Sequence, residues 1–215
     1  MTGPPAAPAA RRRWTAVVLV LVVGLLVGAA AVGSLPTAVS TVWSPFSAEP
    51  DRRLPPDHLP RARGHGVAEG LLPEGATALD GQYAAIANLD PALLDALRAA
   101  TAEAADDGVV LQVNSGWRSA DYQQRLLDEA VVEHGSESEA ARWVATPQTS
   151  AHVAGEAVDV GPAAAAAWLA DHGADHGLCR VYDNEPWHFE LRPQAVTAGC
   201  PPTYADPTQD PRLRR

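Results

Sequence analysis

Lysine is missing from this 215-residue chain, so all 16 basic side chains are arginine, and 26 acids outnumber them. Residues 1–34 hold three of those arginines and no acid, which leaves the remainder with 13 basic and 26 acidic groups, a net −13. A body so short of positive charge has no electrostatic footprint for nucleic acid. Its acidity reads as solubility. Aromatics are also scarce, with two Phe and four Tyr, so a core has to lean on Leu, Val, Ala and the six Trp. The only cysteines, Cys179 and Cys200, have 20 residues between them and form no CxxC. That spacing makes a zinc thiolate pair the weaker reading and one disulfide the stronger, provided the chain is exported. No internal repeat is visible.

Charge is absent from one long stretch as well. Trp14 to Gly33 is 20 residues of mostly Val, Leu, Ala and Gly, directly after Arg11-Arg12-Arg13. That length spans a bilayer as a helix, and the arginines before it predict a cytoplasmic N-terminus with the body exported. Residues 1–13 are therefore read as a cytoplasmic N-terminus and 14–34 as a transmembrane anchor. A cleaved signal peptide with small residues at Ala29-Ala30-Ala31 is the alternative, and it leaves the body secreted. Residues 35–75 contain Pro36, Pro45, Pro50, Pro55, Pro56, Pro60 and Pro73 and keep no apolar period, so they read as a linker.

The globular part is expected over 76–194, with 195–215 as a tail. Asp90-Pro91 starts a helix, with Leu93, Leu97, Ala100 and Ala104 on one face and Asp107-Gly108 at its end. Val109–Val113 reads as a buried strand. Ser119 caps a second helix whose apolar face is Tyr122, Leu126, Leu127, Ala130 and Val131, ending at Gly135. Ser136-Glu-Ser-Glu139 has capping-box spacing for a third helix that carries Trp143 and closes at Pro147. Ala157–Val160 reads as a strand and Pro162–Ala170 as a helix. Cys179–Tyr182 and Trp187–Leu191 read as antiparallel neighbours. The class is α+β, a small antiparallel sheet with flanking helices. About 120 residues bury roughly two-thirds of their surface and fold alone.

Two stretches carry the chemistry. Ser150-Ala-His-Val-Ala-Gly-Glu-Ala-Val-Asp159 offers an imidazole at His152 and a carboxylate at Asp159. Glu185-Pro-Trp-His188 offers a second imidazole with a carboxylate three residues before it. Two His and one carboxylate make a three-ligand set for zinc, with water in the fourth position. Glu185 is then spare, as general-base hydrolysis requires. His172 and His176 form a weaker two-His pair with no base nearby, and His134 suits the end of its helix dipole. Glu190 is either an acceptor behind a ligand imidazole or a solvated strand residue.

In this order the blocks Ser115-Gly-Trp-Arg-Ser119, Ser150-x-His152-x-x-Gly155-x-Ala157-x-Asp159 and Glu185-x-Trp187-His188 resemble the VanY-type zinc D-alanyl-D-alanine carboxypeptidases. The resemblance covers residues 85–193. It implies the small α+β zinc fold shared with the Hedgehog signalling domain, Zn2+ held by His152, Asp159 and His188, and Glu185 as catalytic base and acid. Arg118 would meet the substrate or its developing oxyanion, and the planar fork of an arginine suits a terminal carboxylate. Ser150 would bind substrate at the edge of the site. The implied enzyme is a monomeric, membrane-anchored, extracytoplasmic carboxypeptidase that removes terminal D-Ala from peptidoglycan stem peptides. An L,D-carboxypeptidase, dipeptidase or wall endopeptidase on the same scaffold is the alternative, as is a non-catalytic wall-binding or signalling module with structural zinc. The chain departs from the family pattern at Gln148 and Glu156, and the second adds negative charge beside two proposed ligands.

Overall fold

The computed structural model describes residues 66–213. The expected anchor at 14–34 lies outside them, and among the described residues no helix is long and apolar enough to cross a membrane. The elements in order are α1 (Ala84–Ala87), α2 (Pro91–Asp106), β1 (Gln112–Ser115), α3 (Ala120–His134), α4 (Glu137–Ala140), α5 (Ala151–Ala154), β2 (Ala157–Gly161), α6 (Ala163–His172), β3 (Leu178–Arg180), β4 (His188–Leu191) and α7 (Ala195–Ala198), with short 3-10 turns between some of them. The four strands form one sheet in the order β1-β2-β4-β3, antiparallel throughout.

Strand periodicity divides the residues between the two faces of this sheet. Val113, Val158, Val160, Leu178 and Phe189 point into the main core, where they meet Leu93, Leu97, Ala100 and Ala104 of α2 and Trp168 and Leu169 of α6. Their neighbours point the other way. Asp159 sits directly opposite His188 in the β2–β4 ladder, and Cys179 sits opposite Glu190 in the β3–β4 ladder. Directly opposed residues share a face, so the sheet's second face carries the polar groups.

Local signals place the helices as expected. The Asp90 carboxylate accepts from the N–H groups of Ala92 and Leu93, and the Ser119 hydroxyl accepts from that of Tyr122. The buried faces of α2 and α3 match the helical period, with Gln123 as an added buried member of α3.

Several expectations shift. The strand expected at 109–113 begins at Gln112, because the N–H of Val109 is spent capping α2 at the Ala104 carbonyl, past a left-handed Gly108. Val110 is left exposed. The third helix shortens to the single turn α4; Pro147 restricts Thr146 before it, and the intervening chain turns to bring Val144 against Tyr122 and Leu126.

The ordered unit also runs past both expected edges. Before residue 76, the Glu69 carbonyl accepts from the N–H of Ser119, and its carboxylate pairs with Arg125 at 3.0 Å. After residue 194 the expected tail is packed, with Asp206 and Asp210 buried. The chain folds back because Cys200 is bonded to Cys179, with the Cα atoms 5.6 Å apart. This bond closes a loop across 21 positions and constrains the unfolded chain by about 3 kcal/mol. Thiol titration of the unreduced, denatured protein is expected to find no free thiol. The double replacement Cys179→Ser/Cys200→Ser is expected to lower unfolding free energy in urea by about 2–4 kcal/mol.

Candidate metal centre and active site

His152 lies on the one-turn helix α5, which the Ser150 hydroxyl caps by accepting from the N–H of Val153 at 3.4 Å. Gly155 ends that turn at φ +76°, and a Cβ there would stand 2.4 Å from the Asn88 carbonyl oxygen. Glycine is required at this position for both reasons, and the close approach lets the Asp90 N–H donate to the Gly155 carbonyl at 2.8 Å. The turn is thereby fastened to the start of α2. Two residues later the chain enters β2, one of the two interior strands, which presents Asp159 opposite His188 of β4.

Four predicted residues meet in this place. His152 Nε2 is 3.4 Å from Asp159 Oδ1 and 3.3 Å from His188 Nδ1, and His188 Nδ1 is 3.3 Å from Asp159 Oδ1. The Glu185 carboxylate stands 3.7 Å from His188 Nδ1. All four side chains are buried. Among the described residues, His152, Asp159 and His188 are the one group arranged to hold a metal ion. The other histidines among the described residues are engaged elsewhere: His172 Nδ1 bonds the Trp168 carbonyl, His176 pairs with Glu103, and His134 stacks on Trp143.

Outer partners set the tautomers. His152 Nδ1–H donates to the Gly116 carbonyl at 2.8 Å, and His188 Nε2–H donates to Glu190 Oε1 at 3.3 Å. With both imidazoles neutral, as metal ligation requires, the inward atoms Nε2 of His152, Nδ1 of His188 and Oδ1 of Asp159 offer only lone pairs to one another. Asp159 Oδ1 has no hydrogen-bond partner, so a cation belongs among them. Bonds of about 2.0–2.1 Å at tetrahedral angles put ligand atoms about 3.3–3.4 Å apart, which is the spacing seen. The donor set fits zinc.

Without a metal the same need for positive charge is met by a proton on His188. Burial works against a charged His188, yet its contacts with Asp159, Glu190 and Glu185 outweigh burial and hold the imidazole up at about 10. Asp159 is also opposed by burial, but His152, His188 and Arg118 keep it far below the usual carboxylate range. Glu185 goes the other way. Burial, joined by the charge of Asp159, pushes it up to about 8 against the pull of His188. One of its oxygens, Oε1, has no partner among the described residues.

Arg118 enters from the turn after β1. Its Nε donates to Ser115 Oγ at 2.8 Å, Nη1 to Gln123 Oε1 at 3.1 Å and Nη2 to Asp159 Oδ2 at 2.7 Å. These bonds occupy three of its five N–H donors. Arg118 thus orients the metal-facing carboxylate while also lining the cleft. Ser150, Glu185 and Trp187 line it too; the cavity measures about 930 Å³ and extends over Leu126, Trp143 and Val144.

Two partners were less legible in sequence. Gln123, which links Arg118 to the Ala145 carbonyl at 2.9 Å, looks like an ordinary helix residue. Glu190 is the second residue after His188, and period 2 on a strand was the available signal that the two share a face.

The family model for VanY, D-alanyl-D-alanine carboxypeptidase, matches residues 87–194. The chain belongs to that family. It is 33% identical over 126 residues to the D-alanyl-D-alanine carboxypeptidase of Enterococcus faecalis (strain ATCC 700802 / V583), a match covering 47% of this chain and 46% of the relative. The chain therefore spans about half the length of the curated relative it matches. Among solved structures, it is similar to VanYB in complex with D-alanine-D-alanine (29% identity, 52% of this chain and 74% of that one, TM-score 0.48). It is also similar to a VanY mutant from a VanB-type resistance cassette in complex with Zn(II) (30% identity, 48% and 72%, TM-score 0.45). A third is the LdcB LD-carboxypeptidase (23% identity, 68% and 74%, TM-score 0.48).

The Arg118–Asp159 pair is almost fully buried, with side chains 6% and 4% exposed. Removing one partner of such a pair strands the other charge, at about 3–5 kcal/mol. Asp159→Ala is expected to destabilise the metal-free protein by that amount in urea denaturation.

Proposed function

We propose that this protein is a zinc-dependent D,D-carboxypeptidase acting on peptidoglycan stem peptides, with His152, Asp159 and His188 as the metal ligands and Glu185 as base and acid. The observation that carries this reading is the placement of Glu185. It is a buried carboxylate beside the ligand cluster, with a free oxygen, at a position that a purely structural metal site would leave unfilled. Zinc bound there supplies Lewis acidity for the scissile carbonyl and a water that loses its proton near neutral pH. Glu185 accepts that proton and delivers it to the departing amine of the D-amino acid. The ordering of His152 by Gly116 and of His188 by Glu190 keeps both imidazoles facing inward during these transfers. Arg118, with donors beyond those held by Ser115, Gln123 and Asp159, meets the terminal carboxylate or the developing oxyanion. Ser150 borders the substrate from the N-cap of α5.

The cavity volume favours a peptide longer than a dipeptide, being near the top of the range of about 300–1,000 Å³ for small-molecule pockets. The VanY relatives support the D,D bond as the one cleaved. Placement outside the cytoplasm is supported by the Cys179–Cys200 disulfide, which persists in oxidising compartments, and by the uncharged stretch at 14–34 after three arginines.

A pentapeptide ending in D-Ala-D-Ala, incubated with the protein and followed by mass, is expected to lose one D-Ala. A chelator should stop the loss and added zinc should restore it. Loss of a different residue would reassign the bond, and intact peptide in the presence of stoichiometric zinc would favour a non-catalytic module. Glu185→Ala is expected to lower kcat by about 10²–10⁴ with zinc retained, and undiminished turnover would refute its assigned role.

A further inference from the structure

The family match ends at residue 194, yet the chain beyond it reaches the site. Cys200 is tied to Cys179, which faces the same side of the sheet as Glu190. From there the Tyr204 N–H donates to the Val181 carbonyl at 2.9 Å, and the Tyr204 carbonyl accepts from the Asp183 N–H at 2.9 Å. These two bonds fasten the segment to the connection that carries Glu185. Asp206 accepts from Arg142 Nε at 3.1 Å. Asp210, fully buried, accepts from the Tyr182 hydroxyl at 3.1 Å, and the Tyr182 ring lies 5.1 Å from that of His188. Arg212 bonds Asp210 and donates from Nη1 to Glu190 Oε2 at 2.6 Å. Pro207 and Leu213 line the cleft itself.

We propose that residues 200–213 form a strap that completes the active site, with Arg212 as a positioning residue for the metal. Glu190 is a buried carboxylate whose Oε1 holds His188 Nε2–H. A carboxylate gripped only by Arg192, its neighbour on the same strand end, is free to pivot about its last torsion. Arg212 spans both oxygens, with Nη1 donating to Oε2 and Nη2 to Oε1 at 3.4 Å, from a segment anchored independently by the disulfide and by Asp210. With both oxygens held, the His188 ring keeps the orientation and tautomer that turn Nδ1 towards Asp159 and His152. Partners behind a ligand histidine typically change metal affinity 10–100-fold. Arg212 acts one bond further out, so the lower end of that range applies. This inference rests on the reading of His152, Asp159 and His188 as a zinc site.

The test measures zinc affinity by chelator competition, and the visible absorption of the cobalt-substituted protein, for the full chain and its Arg212 variants. Arg212→Met is expected to weaken zinc about tenfold and to shift the cobalt bands. Arg212→Lys, which keeps a charged donor, should recover most of the loss. A role confined to holding the strap would lower the melting temperature while leaving zinc affinity and the cobalt spectrum at their wild-type values, and that result overturns the proposal. Should Arg212→Met fail to fold, Arg212→Gln takes its place: weaker zinc supports the proposal and wild-type zinc overturns it. Failure of the unaltered protein to bind zinc would refute the underlying metal site, and this inference with it.

Discussion

A buried carboxylate on an interior strand of a sheet cannot remain ionised without partners, because burial in a low-dielectric interior costs several kcal/mol per charge. Asp159 occupies that position, and the surrounding residues answer to it. One oxygen takes the Arg118 guanidinium at 2.7 Å; the other faces the inward nitrogens of two imidazoles at 3.3–3.4 Å. Arg118 in turn depends on Ser115 and Gln123 for its angle of entry. The α3 helix and the end of β1 are thus coupled to the metal ligand through a single side chain.

The same reasoning extends outward from His188. Three carboxylates, Asp159, Glu185 and Glu190, stand around one imidazole, and each is treated differently. Asp159 is matched by Arg118 and the site for a cation. Glu190 is matched by Arg192 and Arg212, which with His188 hold it well below the usual carboxylate range although burial raises it. Glu185 has neither, and burial leaves it the one acid of the three that readily holds a proton. Environment thus separates the proton affinities of chemically similar side chains, which suits them to the proposed roles of ligand, ligand support and proton carrier.

The individual helices were legible because their signals are local. The caps at Asp90, Ser119 and Ser136 and the apolar period of α2 concern residues within one or two turns. The ligand set was legible for a related reason: His152, Gly155 and Asp159 share one short stretch, and the need of Gly155 for a left-handed turn is written in its residue type. The start of β1 was not legible, because its displacement follows from which carbonyl the Val109 N–H chooses. The fate of residues 195–213 was even less so, since a Pro-rich polar stretch has no period to show what it packs against.

Residue type and spacing alone determined the chemistry on offer: two imidazoles, a carboxylate ligand and a spare acid, in an order shared with the VanY family. Those properties travel with the side chains and need no neighbours. Tertiary structure alone decided which lone pairs face inward, that Arg118 is bound to a ligand before any substrate arrives, and that Arg212 closes over Glu190. The bonds of Arg118 to Asp159, His152 to Gly116 and Arg212 to Glu190 join atoms from positions 22 to 41 residues apart in the chain. Such contacts are selected by strand register and by the cost of leaving a buried charge alone, and neither can be computed from local sequence.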